Sequence, residues 1–195
     1  IDIEKKFNFL PYVSSNLSGT RDNYSDRIDY QNPEFNYGVG FNLELNKNLS
    51  VEATINPDFS QVESDATRID INSPTAINYP EKRPFFNRGI DAMDYQIDVF
   101  YSRSINDPSF ASKIINQGRK SRLYVVSAFD EQTPYLVPTP YESFSGVAGK
   151  SFSNVIRYQN FIDSKTQIGL LASNRFYEGD VYGNLYGFDA LFNFS

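Results

Sequence analysis

The chain has 195 residues, a net charge of −6, and neither cysteine nor histidine. The missing cysteine excludes disulfides and thiolate metal sites, and the missing histidine removes the commonest general base and metal ligand, which disfavours an enzyme. No basic stripe appears among the Lys and Arg residues, which disfavours nucleic acid as a partner. Because no signal peptide precedes Ile1, we expect the chain to be a piece of a longer precursor.

The first part of the chain predicts a strand, a loop and a hairpin. Residues 5–15 form an apolar run that predicts a strand, and the polar residues 16–34 predict a loop. Residues 35–45 then alternate strictly between apolar and small polar side chains, and residues 49–55 alternate again after the turn at 46–48. This hairpin therefore has one apolar face and one polar face.

Residues 57–96 interrupt the alternating pattern. Apart from a candidate short strand at 67–72, this segment has no strand or helix period and contains several prolines. A long irregular segment in a compact domain is usually functional or disordered. Tyr79, Phe85 and Phe86 argue against disorder, because large aromatic side chains favour burial.

The rest of the chain returns to apolar runs separated by turn residues. The predicted strands cover residues 97–105, 110–117, 123–129, 152–161, 166–177 and 182–195. A stretch rich in Pro, Ser and Gly at 130–150 predicts a long loop. No helix of normal length is predicted. Short connections at one rim and long ones at the other are typical of outer-membrane barrels.

Two environments explain strands with one apolar and one polar face. In a soluble sandwich the apolar face packs on a core, whereas in a transmembrane barrel it contacts lipid and the polar face lines the lumen. The first run of alternation exceeds the roughly 5–6 residues of soluble strands and matches the roughly 9–11 of spanning strands. We therefore predict an all-β fold, an antiparallel transmembrane β-barrel, with a soluble carbohydrate-binding β-sandwich as the alternative.

The predicted barrel domain covers residues 1–195, with residues 57–96 inserted into the lumen or against the rim. The strong alternation of the last strand has nothing after it to pair with. An open sheet edge in hydrocarbon costs several kcal/mol per unsatisfied backbone group. We therefore expect the chain to be the N-terminal part of a larger barrel.

Two long motifs lie in and beside the irregular segment, Asn56-Pro-Asp-Phe-Ser-Gln-Val-Glu-Ser-Asp65 and Tyr79-Pro-Glu-Lys-Arg-Pro-Phe-Phe86, followed by Gly89-Ile-Asp91 and Val99-Phe-Tyr-Ser-Arg103. Together they resemble the motifs of one family of large, poorly characterised outer-membrane β-barrel proteins of Gram-negative bacteria. The resemblance covers roughly residues 34–195 in order. Departures at Tyr79, usually Phe in the family, and at Ser104, commonly Arg, leave the pattern intact.

The resemblance implies an outer-membrane location and contact with outer-membrane lipid. Family members often carry an N-terminal domain similar to family 9 carbohydrate-binding modules and are longer at the C-terminus. The expected function is non-enzymatic, either a transport channel or a membrane component of a larger envelope complex. Other outer-membrane or periplasmic proteins are the further partners we expect, and no cofactor is predicted.

The charged and aromatic residues of the inserted segment are predicted to latch it to the inner wall. Charges held between a wall and an inserted segment are usually paired. The candidate latch consists of Asp58, Glu63, Asp65, Arg68, Glu81, Lys82, Arg83, Phe85, Phe86 and Arg103. The alternative is a periplasmic turn held by ordinary surface pairs.

The acidic residues of the segment have two weaker interpretations. Asp58, Glu63, Asp65 and Asp70 could hold Ca²⁺, but their spacing fits no known calcium loop. A carboxylate pair such as Asp58 and Glu63 could serve an envelope glycoside hydrolase, yet no Trp platform for a sugar accompanies it.

Overall fold

A computed structural model of the chain describes residues 5–21, 28–58, 81–93, 100, 102–138 and 143–193. The strands are β1 (Lys6–Asn16), β2 (Gly19–Arg21), β3 (Ile28–Tyr30), β4 (Glu34–Glu44), β5 (Leu49–Ile55), β6 (Pro108–Gln117), β7 (Ser121–Asp130), β8 (Pro134–Pro138), β9 (Ser143–Val147), β10 (Ser151–Phe161), β11 (Thr166–Tyr177) and β12 (Tyr182–Phe192). The short helix α1 spans Pro84–Asn87, and the 3-10 turns η1 and η2 span Ile90–Met93 and Ser102–Ser104.

One antiparallel sheet of eight strands dominates the fold. Its strand order is β1-β4-β5-β6-β7-β10-β11-β12, so neighbours in space follow the chain apart from two small excursions. Those excursions are the two-stranded sheets β2–β3 and β8–β9. The prediction of an all-β, antiparallel fold is therefore confirmed.

The predicted hairpin has the register that its alternation requires. Val39 lies opposite Ile55 and Leu43 opposite Val51, which places the apolar side chains of β4 and β5 on one face. At the turn, Asn46 Oδ1 accepts hydrogen bonds from the backbone N–H groups of Asn48 and Leu49, both at 2.8 Å. The side chain of Asn46 thus provides the hydrogen-bond acceptor for two N–H groups of the turn and stabilises the register of the hairpin.

The two faces of the sheet have opposite character. One, which we call the apolar face, carries Phe35, Phe188 and Phe192, which are 68 %, 66 % and 55 % exposed. On the same face, Val39 and Phe41 are half-buried among their neighbours within the sheet. No second layer of the described residues covers these side chains.

The opposite face, which we call the covered face, packs against residues 81–93, 100 and 102–107, here termed the covering segment. A single core joins the two. It comprises Phe86, Ala92 and Ile105 from the segment with Ala111, Ile115, Tyr124, Val126, Ala128, Val155 and Leu171 from the sheet. Gly89 adopts φ +78°, and a Cβ there would lie 2.8 Å from Ile115 Cδ1, so glycine is needed where the segment turns against β6.

The connections differ between the two ends of the sheet. The turns β4–β5, β6–β7 and β10–β11 are short and lie at one end, which we call the short-turn end. The connections β1–β4, β5–β6 and β7–β10 are long and lie at the other, the long-connection end, together with the short β11–β12 turn. The predicted asymmetry of the rims is therefore present.

Three local predictions need comment. The strand predicted at 97–105 is wrong where the structure describes it, because Ser102–Ser104 form a 3-10 turn and Ile105 packs into the core beside Phe86. The loops predicted at 16–34 and 130–150 contain the small hairpins β2–β3 and β8–β9. The candidate strand at 67–72 lies outside the described residues.

The large sheet is open across the described residues, since β1 and β12 form its two edges and do not pair with each other. Within the same part of the chain, no helix is long and apolar enough to cross a membrane.

Candidate functional site

A buried ion pair ties the sheet to the covering segment. Lys113, on the covered face of β6, is fully buried, and its Nζ lies 3.1 Å from Glu52 Oε2 on the neighbouring strand β5. The ammonium also donates to the backbone carbonyls of Phe85 and of Arg88, the latter at 2.9 Å. It lies 4.8 Å from the centroid of the Phe85 ring. One sheet side chain therefore holds both ends of helix α1.

Arg88 connects this pair to the edge of the segment. Its Nη1 lies 2.8 Å from Glu52 Oε1 with the geometry of an ion pair rather than a directed hydrogen bond. Its Nη2 lies 3.4 Å from Glu44 Oε1 in a pair that is largely exposed. Exposed pairs contribute about 0–1 kcal/mol, so the Glu52 contact dominates.

Arg83 organises the interior of the segment itself. Its guanidinium donates through Nε and Nη2 to the two oxygens of Glu81, at 2.9 and 2.8 Å. It also donates to the carbonyls of Ile105 and Ser102, at 2.6 and 3.0 Å, and stacks over the Phe86 ring at 4.2 Å. The planar fork of arginine can satisfy this many acceptors at once, and a lysine ammonium cannot.

The Glu81 carboxylate is held ionised by these partners. Burial by itself raises the pKa of Glu81, but the hydrogen bonds from Arg83 and Ser102 and the charge of Arg83 outweigh it. The pKa therefore lies below its ordinary value. Ser102 Oγ donates to Glu81 Oε2 at 2.5 Å and joins the two ends of the segment.

Two further sheet side chains bind the far end of the segment. Asp130 on β7 accepts from the backbone N–H groups of Asn106 and Asp107, at 2.8 and 2.6 Å. Arg175 on β11 donates to the carbonyl and the hydroxyl oxygen of Ser104, at 3.1 and 2.9 Å. The segment is therefore fixed to β5, β6, β7 and β11 by polar contacts as well as by the core.

A third charged pair crosses the covered face beside the segment. Arg157 on β10 reaches over Gly169 on β11 to Asp189 on β12, with Nη1–Oδ1 at 2.5 Å and Nη2–Oδ2 at 2.9 Å. A Cβ on Gly169 would lie 2.2 Å from Asp189 Oδ1 and 2.5 Å from Arg157 Nη1. Glycine therefore lets the pair cross β11 without displacing either side-chain end, and a larger residue would force both to shift.

A small groove opens at the short-turn end where the segment meets the sheet. It holds about 160 Å³ and is lined mainly by polar groups of the β4–β5 turn, of β6, and of Arg88 and Gly89. Gln117 Nε2 closes one side by donating to the carboxylate of Asp91, at 3.2 and 3.3 Å. Within the described residues, no cluster of acidic side chains is arranged to hold a metal ion.

The structure brings together only part of the candidate latch. Glu81, Arg83 and Phe86 lie in the buried interior, and Phe85 packs at the edge of the core. Arg83 and Glu81 pair with each other, and Arg83 also donates to the carbonyls of Ile105 and Ser102 within the segment.

Of the remaining latch candidates, Asp58 and Lys82 have described side chains. Asp58 accepts a hydrogen bond from Ser14 Oγ on β1 at 2.5 Å. Lys82 is exposed. Glu63, Asp65, Arg68 and the side chain of Arg103 lie outside what the structure describes. The sequence reasoning missed the sheet residues that bind the segment, namely Glu52, Lys113, Asp130 and Arg175. Charged residues at covered-face positions of otherwise alternating strands were the signal that could have found them.

The fold and site define an all-β protein in which one antiparallel sheet leaves its apolar face open and buries charged groups under an irregular segment. The profile of the family described as domain of unknown function DUF5916 matches residues 5–124, and the chain belongs to that family. No curated protein and no solved structure matches the chain. Because the description names neither activity nor compartment, any function is a proposal.

Proposed function

We propose that the chain forms part of the wall of an outer-membrane β-barrel and has no enzymatic activity. The covering segment occupies the interior of this barrel. The protein acts as a transport channel or as a membrane component of a larger envelope complex, in contact with outer-membrane lipid. The net charge of −6 disfavours nucleic acid as a partner, and other envelope proteins are the partners that we propose.

The observation that carries the proposal is the inverted polarity of the sheet. Large apolar side chains such as Tyr37, Phe188 and Phe35 stay exposed on one face, while Lys113 and Arg157 are buried on the other. In water, each large apolar side chain left exposed would lose about 1.5–3 kcal/mol of hydrophobic stabilisation. In a membrane barrel the same side chains contact acyl chains, and the polar side chains face the interior.

The aromatic residues of the apolar face support a lipid environment. Aromatic rings form a row near the long-connection end, with centroid separations of 6.4 Å for Phe110–Phe129, 4.6 Å for Phe129–Phe152 and 6.5 Å for Phe152–Phe176. Aromatic girdles of this kind flank the apolar band of membrane barrels.

Two pairs of polar residues on the apolar face form hydrogen bonds across neighbouring strands. Ser127 Oγ donates to Asn154 Oδ1 at 2.8 Å, and Asn174 Nδ2 donates to Asn184 Oδ1 at 2.6 Å. Polar groups in hydrocarbon need such internal partners because no water is present to replace them. These cross-strand pairs therefore reduce the cost of placing a polar row in the membrane.

The covering segment favours a plugged interior over an open pore. A mobile gate would be expected to have few buried contacts and many exposed hydrogen bonds. Instead the segment places Phe86 and Ile105 in the common core and is bound by the buried ammonium of Lys113. The membrane-component role within a larger complex is therefore the better supported of the two.

Among the described residues, the sandwich alternative lacks the second layer that it needs. A carbohydrate-binding β-sandwich buries its apolar faces between two sheets. The exposures of Phe35 and Phe188 argue against such packing in the described part of the chain.

The proposal is tested by purifying the intact polypeptide from native membranes. We expect partition into detergent and faster migration of the unheated, folded form on gels, together with co-purified envelope proteins if the complex exists. An aqueous-phase protein without heat-modifiable migration would refute the barrel.

Planar-bilayer conductance separates the plugged scaffold from the channel. The plug predicts low conductance for the wild type and higher conductance for Arg83→Ala, with exposed Lys150→Ala as the control. If Arg83→Ala changes neither conductance nor the protease resistance of the segment, the plug is refuted. High conductance of the wild type would favour the channel.

A further inference from the structure

The two ends of the sheet carry opposite charge. At the short-turn end, basic side chains are exposed in the turns and at the start of β1. They are Lys5, Lys6, Lys47, Arg119, Lys120 and Lys165. Two acidic side chains among the described residues at that end are engaged: Asp163 Oδ1 accepts from the N–H groups of Lys165 and Thr166 at 2.7 Å, and Glu44 pairs with Arg88.

The long-connection end is acidic instead. Its charged side chains include Glu34, Asp107, Glu131, Glu178 and Asp180. Of the basic residues at this end, Lys150 is paired with Glu131 at 2.6 Å. The sheet is therefore polarised along its strands, with a basic border at the short-turn end.

Exposed apolar side chains stand among these cations. Phe7 directly follows Lys6 and is 62 % exposed, and Ile162 in the β10–β11 turn is 61 % exposed. Phe192 lies opposite Thr166 and is exposed as well. A soluble polyanion would neutralise the cations but leave the apolar side chains in water.

A lipid leaflet with anionic headgroups satisfies both kinds of side chain. The apolar groups enter the hydrocarbon, while the long stems of lysine and arginine extend their charges to the phosphate level. We infer that the basic border binds anionic phospholipid headgroups of one leaflet and thereby fixes which end of the sheet faces which side of the membrane. This inference rests on the proposed barrel.

The expected strength follows from general membrane electrostatics. Each basic side chain close to an anionic surface contributes about a fivefold gain in binding, so three of them give roughly a hundredfold. The gain is screened by salt, because the Debye length shrinks to about 3 Å at 1 M ionic strength.

The test uses the intact protein in micelles that contain phosphatidylcholine and phosphatidylglycerol, with bound lipids counted by native mass spectrometry. The wild type is expected to retain phosphatidylglycerol preferentially at low salt. Combined Lys47→Gln, Arg119→Gln and Lys120→Gln should reduce that preference by up to about a hundredfold. The matched control at the acidic end, Glu34→Gln with Glu178→Gln and Asp180→Asn, should leave it unchanged.

The possible results separate the inference from the function that it rests on. A protein that retains lipid and shows heat-modifiable migration but has no phosphatidylglycerol preference, or keeps it in the triple variant, overturns the basic border alone. Equal binding of soluble polyglutamate through the same three residues would also overturn it, in favour of an acidic protein partner. Retention of no lipid of either kind would overturn the barrel itself.

Discussion

Replacing Lys113 by methionine tests how the covering segment is held. Methionine keeps most of the unbranched stem of lysine and removes the ammonium. The change takes away the contacts to Glu52 Oε2 at 3.1 Å and to the carbonyl of Arg88 at 2.9 Å, together with the bond to the Phe85 carbonyl. It leaves the buried Glu52 carboxylate with Arg88 as its remaining cation.

Removing one partner of a buried pair typically costs about 3–5 kcal/mol, because the other charge stays buried without compensation. Since about 1.4 kcal/mol corresponds to a factor of ten, the open population of the segment should rise by about a hundredfold to a few thousandfold. Limited proteolysis of folded protein measures that population when opening and closing are fast relative to cleavage.

The matched control is Lys120→Met, which removes an exposed ammonium from the β6–β7 turn and should change stability by less than about 0.5 kcal/mol. A double-mutant cycle with Glu52→Gln isolates the pair, and its coupling energy should exceed about 1 kcal/mol. If Lys113→Met opens the segment no more than Lys120→Met does, the buried pair does not hold it.

Three further changes follow from the packing. Gly169→Ala places a Cβ 2.2 Å from Asp189 Oδ1 and should lower the free energy of unfolding, measured with denaturant, by about 1–3 kcal/mol. The control Gly183→Ala has open space around its Cβ and should be nearly neutral. Equal effects of the two substitutions would contradict the steric argument. Because the folded pKa of Glu81 is depressed below 4.5, its contribution to stability is present above that pH and is lost as pH falls through the folded value. Protease release of the segment should therefore increase in acid, and Glu81→Gln should flatten this pH profile; an unchanged profile in the variant would remove Glu81 as the cause. Phe86→Ala empties a fully buried position and should cost about 3–5 kcal/mol, and a loss below about 1 kcal/mol would mean that the segment does not share the sheet core.

The sheet was predictable because its signal repeats. A strand with one buried face has apolar residues at every second position. A register shift of one residue would move every side chain to the opposite face of the sheet. The alternation in residues 35–45 and 49–55 therefore predicted a hairpin with one apolar face, and the observed register, in which Val39 lies opposite Ile55, keeps that face apolar. The pattern could not say what lies on each face, since lipid and a protein core both select apolar side chains.

The contacts of the covering segment were less predictable. Among the described contacts of Arg83, two acceptors are Glu81, two residues away, and the carbonyl of Ile105. Every residue has a backbone carbonyl, so the sequence pattern does not show which carbonyl will accept a side-chain hydrogen bond. The charge of Lys113 at a covered-face position was an available signal, but it was missed because a lysine at such a position is usual on a solvent-facing side.

The bonds from Arg83 to Ile105 and Ser102 also bear on how the chain folds. They join residues 22 and 19 positions apart, inside the stretch that separates β5 from β6. Bringing the ends of a long flexible stretch together costs more entropy than closing a short one, by about 0.6 kcal/mol for each doubling of length. If these Arg83 hydrogen bonds form early, they shorten the effective loop between β5 and β6. The two strands, joined by the bond from Asn56 N–H to the Ser109 carbonyl at 2.8 Å, then pair across a shorter loop. Early hydrogen bonds within the connection would make the pairing of β5 with β6 more local and therefore faster. Removing the Arg83 hydrogen bonds should therefore slow refolding and also increase opening of the covering segment in the folded protein.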